Sequence, residues 1–181
     1  PVTCETCPHY WRMHAGCLST LGGRAKMNPA LRSELEMRQI EEYVCQGLVD
    51  VIFTDHAPHE KAGKAEQDYD KCPSGVPGVQ TLGLSVYDLR ARGKISAQRF
   101  VDLTSRNAAR IFGLNKGELA AGKDADLVLI NPDQTTLFTN SGMKSKCGWT
   151  PFHGQTVNGS IVAVVLRGKV VKGCHAIPSR Y

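Results

Sequence analysis

Long apolar runs are missing from this 181-residue chain: none could cross a bilayer as a helix, and no stretch is built like a secretory leader. Charge of one sign is not gathered anywhere either. The 22 Lys and Arg are interspersed with 17 Asp and Glu, so the net charge of +5 forms no basic stripe, which argues against nucleic acid as a partner. A mild positive excess suits a small anionic substrate, among much else. The cysteines number seven, at 4, 7, 17, 45, 72, 147 and 174, an odd count that does not make the disulfide framework of a small secreted domain. A reducing, cytosolic interior is expected. The chain opens at Pro1 rather than Met, directly into a strand-like run, and is expected to be a truncated or cleaved product. Internal repeats and low-complexity tracts are also lacking. What is present is ordinary: 41% hydrophobic and 22% charged residues, enough to bury one core, or one core and a small appendage.

The apolar spacing gives an α/β order. A β-rich run from Pro1 to Thr6 is broken by Cys7-Pro8-His9-Tyr10, and residues 11–30 are Gly-rich and irregular. Ser33 and Glu36 have capping-box spacing, Met37, Ile40 and Val44 form a stripe, and Gly47 is placed to end a helix over 33–46. Leu48 to Thr54 reads as a strand buried on both faces, stopping at Asp55-His56-Ala57-Pro58-His59. Glu60 to Gly78 is a polar loop. Val79, Leu82, Val86 and Leu89 predict a second helix, and Ser96 to Phe112 a third. After Gly113 the texture turns to β. Asp126 to Ile130 and Ser160 to Leu166 are strands, with Arg167-Gly168 turning the latter back into Lys169 to Lys172 as a hairpin, while 131–159 reads as loop. The division falls near residue 113, giving units 1–112 and 113–181.

Asp55 is the candidate for chemistry. A carboxylate at the C-terminal end of a buried strand stands where α/β folds put catalytic groups, and two histidines and a proline follow within four residues. Asp and His suit a zinc-like ion, and a carboxylate can also move a proton. Spacing alone leaves open a helix-capping Asp beside a surface His.

Ordered motifs along the chain resemble the dihydroorotases of the amidohydrolase superfamily. Val2-Thr3-Cys4-Glu5-Thr6-Cys7-Pro8-His9-Tyr10 is similar to a segment that dihydroorotases, allantoinases and hydantoinases share on the seventh strand of their barrel. Thr54-Asp55-His56-Ala57-Pro58-His59 resembles the eighth-strand signature, and Lys26-Met27-Asn28-Pro29-Ala30-Leu31-Arg32 the family's Lys-Val-Asn-Pro-Pro-Leu-Arg loop. Cys72-Pro73-Ser74-Gly75-Val76-Pro77-Gly78, Gly122-Lys123-Asp124-Ala125-Asp126-Leu127-Val128, Trp149-Thr150-Pro151-Phe152 and Leu166-Arg167-Gly168-Lys169 extend the likeness. The resemblance implies the C-terminal part of a TIM-type barrel with helices (1–112), followed by the C-terminal part of a β-sandwich (113–181). It also implies a metal-dependent hydrolase that opens dihydroorotate to N-carbamoyl-L-aspartate in pyrimidine synthesis, in the cytoplasm. Asp55 would bind the more buried of a pair of zinc ions and carry the proton. Asn28 and His59 would hold the substrate carboxylate, with Ser74 and Gly75 on the ring amide. Allantoinases usually have Ser-Pro-Cys where Ala57-Pro58-His59 stands, and hydantoinases diverge further, so His59 favours dihydroorotase over those alternatives.

The family's remaining metal ligands, an early His-x-His pair above all, have no counterpart here; His9, His14, His153 and His175 stand outside the ligand motifs. The chain is therefore expected to be inactive alone and to need the N-terminal half of its barrel. The intact form is expected to be a homo-oligomer, with aspartate carbamoyltransferase as a further partner. A non-catalytic dihydroorotase-like scaffold for that enzyme is the rival reading. Other residues take plainer roles. Cys4 and Cys7 are expected to be buried or partly buried thiols rather than a metal pair. His9 should make a structural hydrogen bond, His56 should orient its surroundings, Arg32 should sit at the surface, and 60–71 should be a solvated, mobile flap.

Overall fold

The computed structural model describes residues 2–66 and 68–172; Cys174 and His175 lie outside them. β1 (Glu5–Thr6) and β2 (Val51–Ile52) form a two-stranded parallel sheet, Glu5 opposite Val51 and Thr6 opposite Ile52. Backbone bonds extend the pairing beyond the formal strands: Asp50 N–H donates to Cys4 O at 2.8 Å and Phe53 N–H to Thr6 O at 3.0 Å. The Asp50 carboxylate accepts from Cys4 N–H at 2.8 Å and so fixes the start of the ladder. Val49, Val51 and Ile52 are buried as expected, but Leu48, at the start of the run, is exposed, and the paired strand is shorter than the run.

Between the strands lie α1 (His9–Arg12), α2 (Leu18–Leu21) and α3 (Glu34–Gln46). α3 follows its predicted bounds. Ser33 Oγ accepts from Glu36 N–H, the Glu36 carboxylate accepts from Ser33 N–H, and Gly47 leaves the helix in the left-handed region at φ 92°. α4 (Lys61–Lys64) is one short turn inside the stretch read as loop. α5 (Leu82–Ala91) begins after Val79, which is exposed and outside the helix. α6 (Ala97–Val101) and α7 (Asn107–Ile111) are joined by a π-helical turn, Asp102–Arg106, into the third predicted helix.

The last sheet has the order β3 (Leu127–Leu137), β4 (Thr156–Leu166), β5 (Lys169–Lys172), all antiparallel. Arg167 and Gly168, at φ 50° and 77°, make the expected hairpin turn. The loop expected over 131–159 is corrected at both ends: Thr135–Leu137 pair with Thr156–Asn158. Pro132 hid this pairing. It falls in a register shift between Asn131 and Thr135, where a residue without an N–H costs the ladder nothing.

Two cores hold these parts. One gathers Trp11, Val44, Val49, Ile52, Val86, Leu89, Ile95 and Leu103 beneath β2 and the helices. The other joins Met27, Leu31, Val76 and Leu84 to Phe138, Trp149, Phe152 and Val157, and so draws on both sides of residue 113. At Gly159 a Cβ would lie 2.6 Å from the Tyr87 ring, which shows how closely α5 approaches β4. A polar knot crosses the same seam. Asp88 accepts from Asn158 N at 3.0 Å and Nδ2 at 2.7 Å, and pairs with Arg92 at 3.1 Å and Arg12 at 3.7 Å. Arg12 Nη2 in turn donates to Gln155 Oε1 at 2.9 Å.

The Asp88 and Arg12 side chains are only 10% and 12% exposed, so deleting the carboxylate strands a buried cation. Asp88→Ala is expected to lower stability by about 3 kcal/mol or more. Arg38→Ala, which breaks the exposed pair with Glu34, should cost less than about 1 kcal/mol. Urea midpoints at unchanged slope read both; equal shifts would overturn the role given to the knot.

Candidate active site

β2 ends at a tip where Asp55 takes a left-handed backbone (φ 44°), a region that Asp tolerates better than most residues. Asp55 is exposed, and among the described residues no cation pairs with it. The residues after it are clasped to the segment 74–79. Ala57 N–H donates to Val76 O at 3.0 Å, and His56 pairs with Val76 as an isolated parallel bridge. His56 Nδ1 accepts from Gly78 N–H at 3.1 Å and Val79 N–H at 3.4 Å, so the ring carries its proton on Nε2 and orients the turn, as expected. His59 Nε2 lies 2.9 Å from Ser74 O and donates to it.

Gly75 is required at its position. Its φ is 107°, and a Cβ there would lie 2.4 Å from Ala57 Cβ and 3.9 Å from His59 Nε2. Gly75 N–H also donates to Lys26 O at 3.0 Å, which brings in the segment that carries Asn28. The structure therefore gathers His59, Ser74 and Gly75 directly. Asn28 joins through its backbone neighbours: Lys26 on one side and Pro29, whose carbonyl accepts from Tyr10 Oη at 3.0 Å, on the other. Asn28 itself is exposed.

Two residues for which the sequence alone suggests no role at the site hold this assembly. Trp149, fully buried, donates its indole N–H to His59 O at 2.8 Å and ties the strand tip to the second core. Lys64 is 1% exposed, and its ammonium donates to Lys26 O at 3.0 Å, Pro73 O at 2.7 Å and Gly75 O at 2.9 Å. The expectation of a solvated flap over 60–71 is thus corrected at Lys64. Lys26 also donates to Tyr69 O and lies 4.5 Å from the centre of its ring, pinning a further part of that stretch. Nothing in the charge pattern singled out Lys64 from Lys61 or Lys71.

The groups around Asp55 are held neutral. Burial, helped by the Asp55 and Glu5 charges, pushes the Cys7 thiol up to about 12. Cys4 is exposed, against the expectation of two buried or partly buried thiols. Burial pulls the His9 imidazole down to about 4, opposed by Asp55. His9 is 2% exposed and its Nε2 has no partner among the described residues, so the structural hydrogen bond expected of it is not made there. Among the described residues no three His, Cys, Asp or Glu side chains converge on a point that could hold an ion. These residues alone do not fit a metal centre. No described helix is long and apolar enough to cross a membrane.

Comparison with known proteins gives a consistent kinship. Residues 17–171 match the model of the amidohydrolase family. A dihydroorotase of Halobacterium salinarum is 44% identical over 154 residues, covering 84% of this chain and 36% of that protein. A D-phenylhydantoinase of Escherichia coli is 34% identical over 178 residues, covering 94% of this chain and 39% of its own length. The crystal structure of dihydropyrimidinase from Brevibacillus agri superposes with a TM-score of 0.88 at 29% identity, over 95% of this chain and 39% of that one. The chain thus spans about two fifths of the length of these relatives.

A buried imidazole with a depressed pKa links stability to pH. Folded His9 stays neutral down to about pH 4, whereas in the unfolded chain it takes up a proton below about 6.5. Its contribution is intact above pH 6.5 and is lost as the pH falls toward 4, a loss on the order of 3 kcal/mol. Urea unfolding of the chain and of His9→Phe at pH 7 and pH 4.5 should show the smaller acid loss in the variant; equal losses would exclude His9 as the source.

Proposed function

From the premise that this chain belongs to the amidohydrolase family, we propose that it forms part of a dihydroorotase, which opens dihydroorotate reversibly to N-carbamoyl-L-aspartate in cytoplasmic pyrimidine synthesis. The observation that carries the reading is the clasp at the tip of β2, where the segment holding Asp55 and His59 is tied to Ser74 and Gly75 through the His59 ring. The 44% identity to a protein named dihydroorotase supports it, as does His59 itself, where hydantoinases differ.

In this proposal β1 and β2 are the seventh and eighth strands of a TIM-type barrel. Residues 1–112 are its barrel portion and 113–181 the C-terminal part of a β-sandwich. The substrate is a small, planar, anionic cyclic amide. Asn28 and His59 hold its carboxylate, and the backbone of Ser74 and Gly75 hydrogen-bonds the ring amide. Asp55 takes the proton from the attacking water as the new C–O bond forms at the ring carbonyl. The C–N bond then breaks, and Asp55 returns the proton to the departing ring nitrogen, so that one water is added across one amide. Family members rely on bound metal to polarise the carbonyl and lower the pKa of water. Asp55 is this chain's share of such a centre, two zinc ions in the proposal, whose other ligands lie in polypeptide that this chain does not include.

The retained Asp55, Asn28 and His59 favour a working enzyme over a non-catalytic scaffold for aspartate carbamoyltransferase. A hydantoinase-type activity is the second reading, favoured by the likeness to D-phenylhydantoinase and dihydropyrimidinase. The two are separated by assaying dihydroorotate, hydantoin and allantoin side by side on the full-length protein.

Dihydroorotate is expected to be the preferred substrate. Asp55→Asn should cut kcat by about 10³-fold or more, and His59→Ala should chiefly raise KM, by about tenfold or more. Normal kinetics in both variants would remove the assignment. Calorimetric titration of this chain alone with zinc should show no tight binding of two ions; stoichiometric uptake of two would contradict the division of ligands proposed here.

A further inference from the structure

An ammonium buried to 1% exposure without a carboxylate partner is costly, and Lys64 is such a group among the described residues. Its environment answers the cost with dipoles. Each of its three protons has a carbonyl within 3.0 Å, at Lys26, Pro73 and Gly75, so its donors are fully used. Burial still draws its pKa below the usual lysine range, with Cys72 opposing the shift and Lys26 reinforcing it.

The three carbonyls are not a random set. Lys26 stands two residues before Asn28, and Pro73 and Gly75 flank Ser74. The ammonium therefore bridges the two chain segments assigned to opposite ends of the substrate. A direct Gly75 N–H bond to Lys26 O joins the same segments. That bond cannot set the separation alone, because Pro73 O and Gly75 O turn toward the ammonium rather than toward the other segment. Close packing backs this up: a Cβ at Gly23 would lie 2.5 Å from Lys64 O and 2.4 Å from Cys72 Sγ, so the chain lies tight around the lysine. Lys61, one turn earlier, is exposed and touches none of these carbonyls.

We propose that Lys64 is a positioning residue for substrate binding: its ammonium sets the spacing between the Asn28 segment and the Ser74–Gly75 turn, without touching the substrate. The inference rests on the dihydroorotase reading for the identity of the ligand, but not for the geometry. Removing the charge leaves the carbonyls converging on an empty centre, where they repel one another and the turn relaxes. The consequence falls on ground-state binding rather than on proton transfer at Asp55.

The test uses Lys64→Met in the full-length protein, which keeps the length of the stem and removes the donors. KM for dihydroorotate should rise about tenfold or more with kcat within about threefold. Hydrogen exchange at the Gly75 amide should quicken in the variant while exchange in α3 stays unchanged. In Lys64→Ala, added propylamine should lower KM again and propanol should not, a rescue that a purely space-filling role would not give. If Lys64→Met does not fold, Lys64→Gln is read in the same way. A KM within twofold of wild type, or amine without effect on the folded alanine variant, overturns the proposal. If the wild-type protein hydrolyses none of the cyclic amides, it is the functional reading that fails. Exchange at Gly75 then decides for Lys64 alone: faster exchange supports it and unchanged exchange overturns it.

Discussion

The segment 56–59 is bound, through one amide and two imidazole rings, to the backbone of residues 74–79, and the candidate site depends on that clasp. A two-stranded parallel pair is a poor platform, because it fixes a direction but little beyond its last hydrogen bond. Here the chain leaves β2 in a left-handed residue and is at once tied down. The Ala57 amide, the His56 ring and the His59 ring each take a partner in the second segment. Glycine at 75 makes this possible, since any side chain there would occupy the space of Ala57. The clasp turns two stretches of irregular chain into one surface, with a carboxylate at one end and an imidazole at the other.

Such a surface has to be referred to something rigid. Two buried donors do this from opposite sides. Trp149 reaches the His59 carbonyl from a core that also contains Phe138, Phe152 and Val157, so the β-rich part of the chain sets the height of the strand tip. Lys64 reaches the carbonyls of Lys26, Pro73 and Gly75 from a single helical turn. The Asp88 knot then fixes α5 to β4, which supply Leu84 and Val157 to the core that holds Trp149. Hydrophobic burial supplies the bulk of cohesion in both cores, but it is non-directional; the placement comes from these few directed bonds.

Much of this was legible in the sequence where a local rule governs. The capping box at Ser33 and Glu36, the stop at Gly47, the hairpin at Arg167-Gly168 and the abrupt end of an apolar run at Asp55 all report physics acting within a few residues. The part of β3 beyond Ile130 was not legible, because Pro132 imitates a loop when only neighbours are read; its pairing with β4 is a long-range fact. Lys64 escaped for the same reason. A lysine among Lys, Glu and Asp looks solvated, and only the convergence of carbonyls at 26, 73 and 75 shows that it is not. Asp55, Asn28, His59, Ser74 and Gly75 were recognisable as a set through motif resemblance, whereas the bonds that tie their segments together belong to the folded chain.

The electrostatics of the strand tip follow from burial rather than from pairing. Cys7, His9 and Tyr10 all lie within reach of the Asp55 charge, and each is uncharged at neutral pH: burial lifts the thiol to about 12 and the phenol to about 12, and drops the imidazole to about 4. The carboxylate thus faces three polar but neutral neighbours. Had His9 been solvated, an imidazolium would compete for Asp55 through part of the physiological range. Its burial removes that competitor and costs stability at low pH in exchange. Among the described residues no cation offsets the Asp55 charge, and its nearest titratable neighbours are neutral groups, so that charge is open to whatever comes to the tip of β2.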